Sequence, residues 1–198
     1  GIAVINLSAG TALEAKKKAE ELIRLQEISA LVAVGGDGTT QLCAGIAIPN
    51  QIPLGIIPAG SGNDQARELK IDLTNIPAAV KNIVDSLGSP KRVDAMKVSV
   101  SGKEIWSMGS ISGGFDALCA TRANSLRWPK GPNSYIAALL LELPSFNAIE
   151  YHLDVDGEKR VIEAMLCGVA NVKNFGGGMM ISPNSDITDG ELEVFILH

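Results

Sequence analysis

The chain has 198 residues, of which 46% are hydrophobic and 20% are charged, and its formal net charge is −5. This composition is typical of a globular protein with enough residues for one large domain or two small ones. The acidic balance, without a strong basic stripe, argues against nucleic acid as a partner.

Cysteine and histidine usage excludes several kinds of site. Cys43, Cys119 and Cys167 are scattered and form no Cys-x-x-Cys pair, which predicts reduced thiols in a cytosolic protein. The two histidines, His152 and His198, are too few for a zinc cluster or a His-based catalytic triad. No apolar run reaches the ~20 residues that span a bilayer, and no signal peptide is visible, so we expect a cytoplasmic protein.

The chain begins with a predicted strand over residues 1–6, followed by a turn of small and polar residues. A helix should come next, because Thr11 and Glu14 have the spacing of a capping box. Ala15, Ala19 and Leu22 supply its apolar stripe.

The most informative stretch is a short apolar run at residues 31–34 that leads into Gly-Gly-Asp-Gly-Thr at residues 35–39 and then into a predicted helix. A strand followed by a glycine-rich turn and a helix can hold a phosphate. Glycine lets the backbone approach the phosphate closely, and the N–H groups at the start of the helix point at the anion. Asp37 would repel a bare phosphate, so it favours a Mg²⁺-nucleotide. The alternative is a plain turn in which Asp37 caps the helix.

A second unit of the same kind follows. Residues 53–58 are predicted to form a buried strand, residues 59–64 a second glycine-rich turn, and residues 65–69 a short helix. Alternating strands and helices over residues 1–86 predict parallel strands with crossover helices. Ligands of such sheets bind beyond the carboxyl ends of the strands, which is where Asn6, Asp37 and Ser61 lie in the sequence.

The second half has a different pattern, with residues 91–112 and 151–172 alternating as hairpins do. Helices are predicted over residues 115–126 and 135–143, and further strands near residue 181 and over residues 191–197. We therefore expect an α/β nucleotide-binding domain with a parallel sheet over residues 1–88. A mainly antiparallel, β-rich domain is expected over residues 89–198.

Four blocks of sequence occur in an order that resembles the diacylglycerol kinase catalytic-domain superfamily, in its bacterial lipid kinase branch. They are GGDGT at residues 35–39, PLGIIPAGSGNDQAR at 53–67, GGFD at 113–116 and NFGGGMMISPNSDITDGEL at 174–192. Sphingosine and ceramide kinases share this superfamily, so the resemblance leaves the identity of the lipid open.

The resemblance implies that residues 89–198 form a lipid-substrate domain and that the active site lies in the cleft between the two domains. There the γ-phosphoryl group of ATP would be transferred to the hydroxyl of a diacylglycerol-like lipid, with Mg²⁺ as the cofactor. It also implies peripheral contact with the inner face of the membrane, and it leaves a homodimer open. Asp37 matches the Asp of the family's phosphate loop and is the candidate catalytic residue. The candidate nucleotide-binding residues are Asn6, Gly10, Thr11, Gly36, Gly38, Thr39 and Ser61.

The chain departs from the family pattern in several places. The first-strand motif Asn-Pro-x-Ser-Gly lacks its Pro and Ser and keeps Asn6 and Gly10, and Gly10 meets Thr11 where the family usually has a further helix and strand. Gln41 and the following Leu stand where the family often has Asn-Glu. The family's proposed general base, a Glu, is expected beyond residue 198.

A structural metal site is predicted at Asp186, Asp189 and Glu191. Two carboxylates three residues apart, with the flexible Gly190 able to turn the Glu191 carbonyl toward them, offer hard oxygen ligands for Mg²⁺ or Ca²⁺. The resemblance agrees, since several bacterial lipid kinases bind a structural Mg²⁺ at the matching turn. The alternative is a plain turn in which the two Asp side chains accept hydrogen bonds from nearby backbone N–H groups.

Two other functions stay open from the sequence. NAD kinase shares the Gly-Gly-Asp-Gly-Thr loop, and a non-catalytic nucleotide-binding regulatory module would explain the weakened first turn. Trp128, with Arg127 and Lys130, fits a lipid–water interface, although an ordinary exposed loop explains these residues as well.

Overall fold

The computed structural model describes residues 1–128 and 132–198. The helices are α1 (Ala12–Arg24), α2 (Asp37–Ala47), α3 (Asp64–Glu68), α4 (Ile76–Ser86), α5 (Phe115–Ser125) and α6 (Pro132–Glu142). The strands are β1 (Leu31–Gly35), β2 (Leu54–Pro58), β3 (Met96–Val100), β4 (Lys103–Ser107), β5 (Ser110–Gly114), β6 (Ile149–Val155), β7 (Glu158–Ala164), β8 (Leu166–Ala170), β9 (Asn174–Phe175), β10 (Met179–Met180) and β11 (Glu193–Leu197).

The N-terminal half is built on the parallel pair β1 and β2, with Leu31 opposite Leu54 and Gly35 opposite Pro58. Parallel neighbours need a crossover connection, and α2 provides it. Small and aliphatic side chains from α2, β2 and α3 are buried together in one cluster that includes Ala44, Ile56 and Ala66. The two strands that carry the glycine-rich turns are therefore fixed side by side.

The prediction of a strand over residues 1–6 is wrong, because residues 1–9 belong to no strand. A strand is stabilised when its side chains are buried on a sheet face. The side chains of Ile2, Val4 and Ile5 are all exposed, so this stabilisation is missing here. Asn6 Oδ1 accepts the Ser8 N–H at 3.0 Å, a local side-chain-to-backbone hydrogen bond.

The predicted capping of α1 is confirmed. Thr11 Oγ1 accepts the Glu14 N–H at 3.2 Å, and the Glu14 carboxylate accepts the Gly10 N–H at 2.9 Å. Thr11 and Gly10 are thereby engaged in starting this helix.

The C-terminal half is antiparallel, as the sequence predicts. A three-stranded sheet has the order β11-β8-β5, and β3-β4 and β6-β7 form hairpins. Helices α5 and α6 pack together around Phe115, Cys119 and Ala138. The parallel N-terminal and antiparallel C-terminal halves confirm the predicted fold class.

The second strand of the hairpin predicted over residues 91–112 is two strands, β4 and β5, in the structure. The chain turns after Ser107, whose Oγ accepts the Gly109 N–H at 3.2 Å, and Met108 is buried in the core. After this turn β5 leaves the hairpin and pairs with β8. The turn is what brings the C-terminal sheet next to the N-terminal half.

All three cysteines are free, as predicted. Burial raises the pKa of the thiols of Cys43, Cys119 and Cys167 above the ordinary value. These thiols are therefore less ionised, and less nucleophilic, than exposed cysteines at neutral pH.

In the described parts of the chain, no helix has both the length and the apolar character needed to cross a bilayer. The side chain of Trp128 is 82% exposed. Lys130, which the sequence pairs with it in an interfacial cluster, lies outside the described residues.

Gly168 lies at the centre of the three-stranded sheet, beneath the ring of Phe195. A Cβ at Gly168 would lie 2.3 Å from Phe195 Cζ and 2.7 Å from the Ile111 carbonyl oxygen. Real Cβ atoms do not approach other atoms so closely, so this position requires glycine.

We expect Gly168→Ala to lower the free energy of unfolding by about 1–3 kcal/mol, because the methyl group must displace both the ring and a ladder carbonyl. Chemical denaturation of the purified protein measures this change. Gly113→Ala on the neighbouring β5 is the matched control, since its Cβ would meet no atom within 4 Å. Equal stability of the two variants would contradict the packing argument.

Candidate active site

The two glycine-rich turns contact each other through their backbones. The Ala59 N–H donates to the Gly35 carbonyl at 2.9 Å, which continues the β1–β2 pairing into the turns. A Cβ on Gly60 would lie 2.3 Å from Gly36 Cα, and one on Gly36 would lie 3.0 Å from Gly60 Cα. Only glycine at position 60 allows the turns to approach this closely.

Asn63 fixes the shape of the second turn. Its side chain accepts the Gly60 N–H at 2.9 Å and donates to the Gly60 carbonyl at 2.7 Å, so the amide holds both backbone groups of one residue. Asn63 itself has a φ of 56°, in the left-handed region that Asn tolerates better than most residues. The turn is therefore held in one conformation before any ligand binds.

Asp37 is the first residue of α2, and its carboxylate faces the second turn. Asp37 Oδ1 accepts the Gln65 N–H at 3.2 Å. A Cβ on Gly62 would lie 2.7 Å from Asp37 Oδ2, so the glycine leaves open the space beside this oxygen. The carboxylate is thus positioned by the backbone of a different strand–helix unit from its own.

The start of α2 presents backbone N–H groups. The Gly36 carbonyl accepts from the N–H groups of Thr39 and Thr40, each at 3.0 Å. The N–H groups of Asp37 and Gly38 precede the helical ladder and lie at the positive end of the helix dipole. Such N–H groups are suited to bind an anionic group.

Helix α3 connects the N-terminal half to the C-terminal half. Asp64 Oδ2 accepts the Gly177 N–H at 2.7 Å, and Glu68 Oε2 accepts the Lys173 N–H at 3.1 Å. Asp64 is buried. Gly177 has a φ of 94°, so glycine is needed to turn its N–H toward α3.

A cleft of about 790 Å³ lies where these elements meet, a size within the usual range for small-molecule sites. Both halves of the chain line it. The lining residues are Asp37, Gly38, Gln41, Ser61, Gly62, Asp64, Gln65, Ile105, Ser107, Gly109, Ser110, Ile111, Val172, Asn174, Phe175, Gly176 and Gly177.

The structure brings together part of the predicted nucleotide site. Asp37, Gly38 and Ser61 line the cleft, Gly36 lies in the contact between the turns, and Thr39 is exposed on the first turn of α2.

The other three candidates lie elsewhere. Asn6, Gly10 and Thr11 do not line the cleft. Asn6 Oδ1 accepts the Ser8 N–H, and the hydrogen bonds of Gly10 and Thr11 serve the start of α1. Their assignment to the nucleotide remains a prediction.

The predicted metal ligands make the hydrogen bonds that we expected of the alternative, a plain turn without metal. Asp186 Oδ1 accepts from Thr188 Oγ1 at 2.6 Å and from the Thr188 N–H at 2.9 Å, and these bonds lower the pKa of the carboxyl. Asp189 Oδ1 accepts the Glu191 N–H at 2.9 Å.

The chain as described contains no group of three or more His, Cys, Asp or Glu side chains arranged to hold a metal ion. The metal site at Asp186, Asp189 and Glu191 therefore remains a prediction.

Several polar residues of the cleft were missed from the sequence, among them Gln41, Asp64 and Gln65. Gln41 lies one helical turn after Asp37 on the same face of α2, and its Nε2 donates to the Trp106 carbonyl. Asp64 and Gln65 directly follow the second glycine-rich turn, so their place beyond the end of a parallel strand could have identified them.

Two family models match the chain. The diacylglycerol kinase catalytic domain matches residues 4–98, and the YegS C-terminal NAD kinase beta sandwich-like domain matches residues 109–198. The two matches follow one another along the chain as its parallel and antiparallel halves do.

Curated relatives include a diacylglycerol kinase of Mycobacterium tuberculosis (strain ATCC 25618 / H37Rv), 34% identical over 196 residues, with 98% of this chain and 62% of the relative covered. A diacylglycerol kinase of Bacillus subtilis (strain 168) is 29% identical over 191 residues, with 96% and 60% covered. The chain thus spans about 60% of the length of these relatives.

A solved structure of similar fold is the crystal structure of a diacylglycerol kinase from Bacillus anthracis str. Sterne. It superposes with a TM-score of 0.67 at 25% sequence identity, over 96% of this chain and 60% of that one.

We expect Gly60→Ala to destabilise the protein by about 1–3 kcal/mol, because its methyl group meets a backbone carbon that cannot rotate away. Thermal unfolding followed by circular dichroism measures the change. Gly38→Ala is the matched control: its Cβ meets no atom within 4 Å, and alanine in a helix is worth up to about 1 kcal/mol over glycine. A Gly60→Ala variant as stable as the wild type would refute the close approach of the two turns.

Proposed function

Because the chain belongs to the diacylglycerol kinase family, with its catalytic domain followed by the YegS-type C-terminal domain, we propose that the protein is an ATP-dependent lipid kinase. It transfers the γ-phosphoryl group of ATP to the hydroxyl of a diacylglycerol-like lipid. The observation that carries the proposal is the position of Asp37, held by the Gln65 N–H between two glycine-rich turns at a cleft that both halves line.

Phosphoryl transfer demands positioning and charge neutralisation more than covalent chemistry from the protein. In this proposal the N–H groups of Asp37 and Gly38 bind phosphate oxygens at the positive end of α2, and the Ser61 hydroxyl donates a further hydrogen bond. The clamp of Asn63 on Gly60 holds the second turn in place, so little reorganisation accompanies binding.

The residues present fit a Mg²⁺-nucleotide. Asp37 Oδ2 faces the space that Gly62 leaves open. Asp64 Oδ1 is buried without a hydrogen-bond partner among the described residues, and Arg67 Nε lies 3.9 Å from it. Carboxylate oxygens of this kind are the ligands that Mg²⁺ prefers, and Asp37 would hold the ion. The metal, when bound, neutralises the charge that develops on the transferred phosphoryl group.

The acceptor is proposed to enter from the side of the cleft formed by the C-terminal half. Ile105, Ile111, Val172 and Phe175 give this side apolar side chains that suit an acyl chain. A substrate of this kind resides in a bilayer, so the protein would meet the inner face of the membrane by peripheral contact.

A second candidate is an NAD kinase-like activity, since the C-terminal half matches a domain described as NAD kinase beta sandwich-like. Consumption of ATP against diacylglycerol, phosphatidylglycerol, sphingosine and NAD separates the two activities. Turnover with a lipid supports the first, turnover with NAD alone supports the second, and nucleotide binding without any turnover supports a regulatory module.

We expect Asp37→Asn to fold normally, since an amide oxygen can still accept the Gln65 N–H, but to lose phosphoryl transfer by about 100-fold or more as the carboxylate charge is lost. Radiolabelled phosphate transfer to diacylglycerol vesicles measures the rate. Asp85→Asn, an exposed acid paired with Lys81 on α4, is the control and should retain full activity. Wild-type turnover of the Asp37 variant would count decisively against the assigned role.

The proposed structural metal at Asp186, Asp189 and Glu191 predicts that chelation lowers the melting temperature of metal-loaded protein. The shift would be about 5–10 °C if free metal had stood at ~100 times its dissociation constant. Asp186→Ala with Asp189→Ala should remove this sensitivity to chelator. If these residues form only a turn, chelation leaves wild-type melting unchanged and the double variant melts lower with or without chelator.

A further inference from the structure

A small cavity lies between α3 and the C-terminal half, separate from the wide cleft. Its volume is about 10 Å³. Polar residues from both halves line it, among them Gln65 and Glu68 on α3 and Asp94 and Asn171 in the C-terminal half. We call it the seam cavity.

Two buried oxygens of the seam-cavity residues accept no hydrogen bond from any group in the described chain. They are Gln65 Oε1 and Asn171 Oδ1. The residues are only 8% and 1% exposed, so bulk water does not reach them in this conformation. A buried acceptor without a donor destabilises a fold, so each of these oxygens calls for a donor.

The orientation of the Asn171 amide is fixed by its other end. Asn171 Nδ2 donates to the Asp94 carbonyl at 3.0 Å and to the Met108 carbonyl at 3.2 Å. Turning the amide over would place its oxygen against two carbonyl oxygens, which would repel it. The oxygen is therefore the end left to accept.

We propose that the seam cavity binds one water molecule, which donates one hydrogen bond to Gln65 Oε1 and one to Asn171 Oδ1. The volume fits a single water, and a buried water needs at least two polar partners. Among the described residues, no Lys, Arg or His side chain lines the cavity and could serve these acceptors instead.

This water would connect the C-terminal half to Asp37. Asn171 follows β8, Gln65 lies on α3, and the Gln65 N–H is the group that binds Asp37 Oδ1. The water binds the side-chain oxygen of Gln65, while the backbone N–H of Gln65 binds the Asp37 carboxylate. Gln65 is then a positioning residue for phosphoryl transfer, a consequence that rests on the proposed function.

The first test is the stability of Gln65→Met, which keeps the length and the backbone N–H but removes the side-chain oxygen. With the water bound in the wild type, the variant leaves the water with Asn171 Oδ1 as its one partner, which is too few to hold a buried water, and the folded-to-unfolded ratio falls about tenfold. Without a bound water, the substitution removes an unpartnered oxygen, so an unchanged or raised melting temperature overturns the proposal.

The second test repeats Gln65→Met in an Asn171→Ala background. Because the bridge is already broken there, the fall caused by the Met substitution should be much smaller than in the wild type. The same fall in both backgrounds would show that the two side chains do not share a ligand. The single variant still decides the matter if the Asn171 variant does not fold.

The third test is direct. A high-resolution crystal structure of the full chain should contain one electron-density peak within about 2.6–3.2 Å of both oxygens. An empty cavity, or a direct hydrogen bond between the two amides, would overturn the water site.

The positioning role is tested by kinetics. Gln65→Met should lower kcat with little change in the KM for ATP, because the water orients Asp37 and does not touch the nucleotide. An unchanged kcat would overturn the positioning role. A wild-type protein without kinase activity would instead refute the proposed function, since the stability and density measurements do not depend on turnover.

Discussion

The site depends on the close approach of two backbones, at Gly36 and Gly60. Adjacent parallel strands place the turns that follow them side by side, but ordinary residues would hold those turns apart by the width of their side chains. With glycine at the contact, α3 begins close enough to α2 for the Gln65 N–H to reach Asp37. The position of the carboxylate is therefore a consequence of strand pairing and of having glycine at both contacting positions.

Besides the apolar packing of Met108, polar contacts around α3, a helix of only five residues, join the two halves of the chain. Asp64 and Glu68 lie one turn apart on it and each accepts a backbone N–H from the segment after β8. Hydrogen bonds to carboxylates depend on direction, so these contacts fix how the halves are oriented as well as how close they lie. The cleft takes its shape from that orientation.

Local signals predicted the central part of this architecture. Around Asp37 and Ser61, the apolar runs and glycine-rich turns predict strand, turn and helix from residues that are close together in the sequence. The segment at residues 1–6 has an equally apolar sequence but forms no strand. A strand needs a partner strand to pair with, and its own sequence does not show whether one is available. Gln41 was missed for a similar reason, because its role depends on Trp106, 65 positions later.

The contact between Gly36 and Gly60 also limits how proteins built this way can diversify. A clash with a neighbouring side chain can be relieved by a second substitution, whereas a clash with a Cα atom has no compensating change. Substitution at the Gly36–Gly60 contact is thus strongly constrained. Variation in the shape of the cleft is less constrained at lining residues outside the two turns, such as Ile105 and Ile111, whose side chains are not part of this contact.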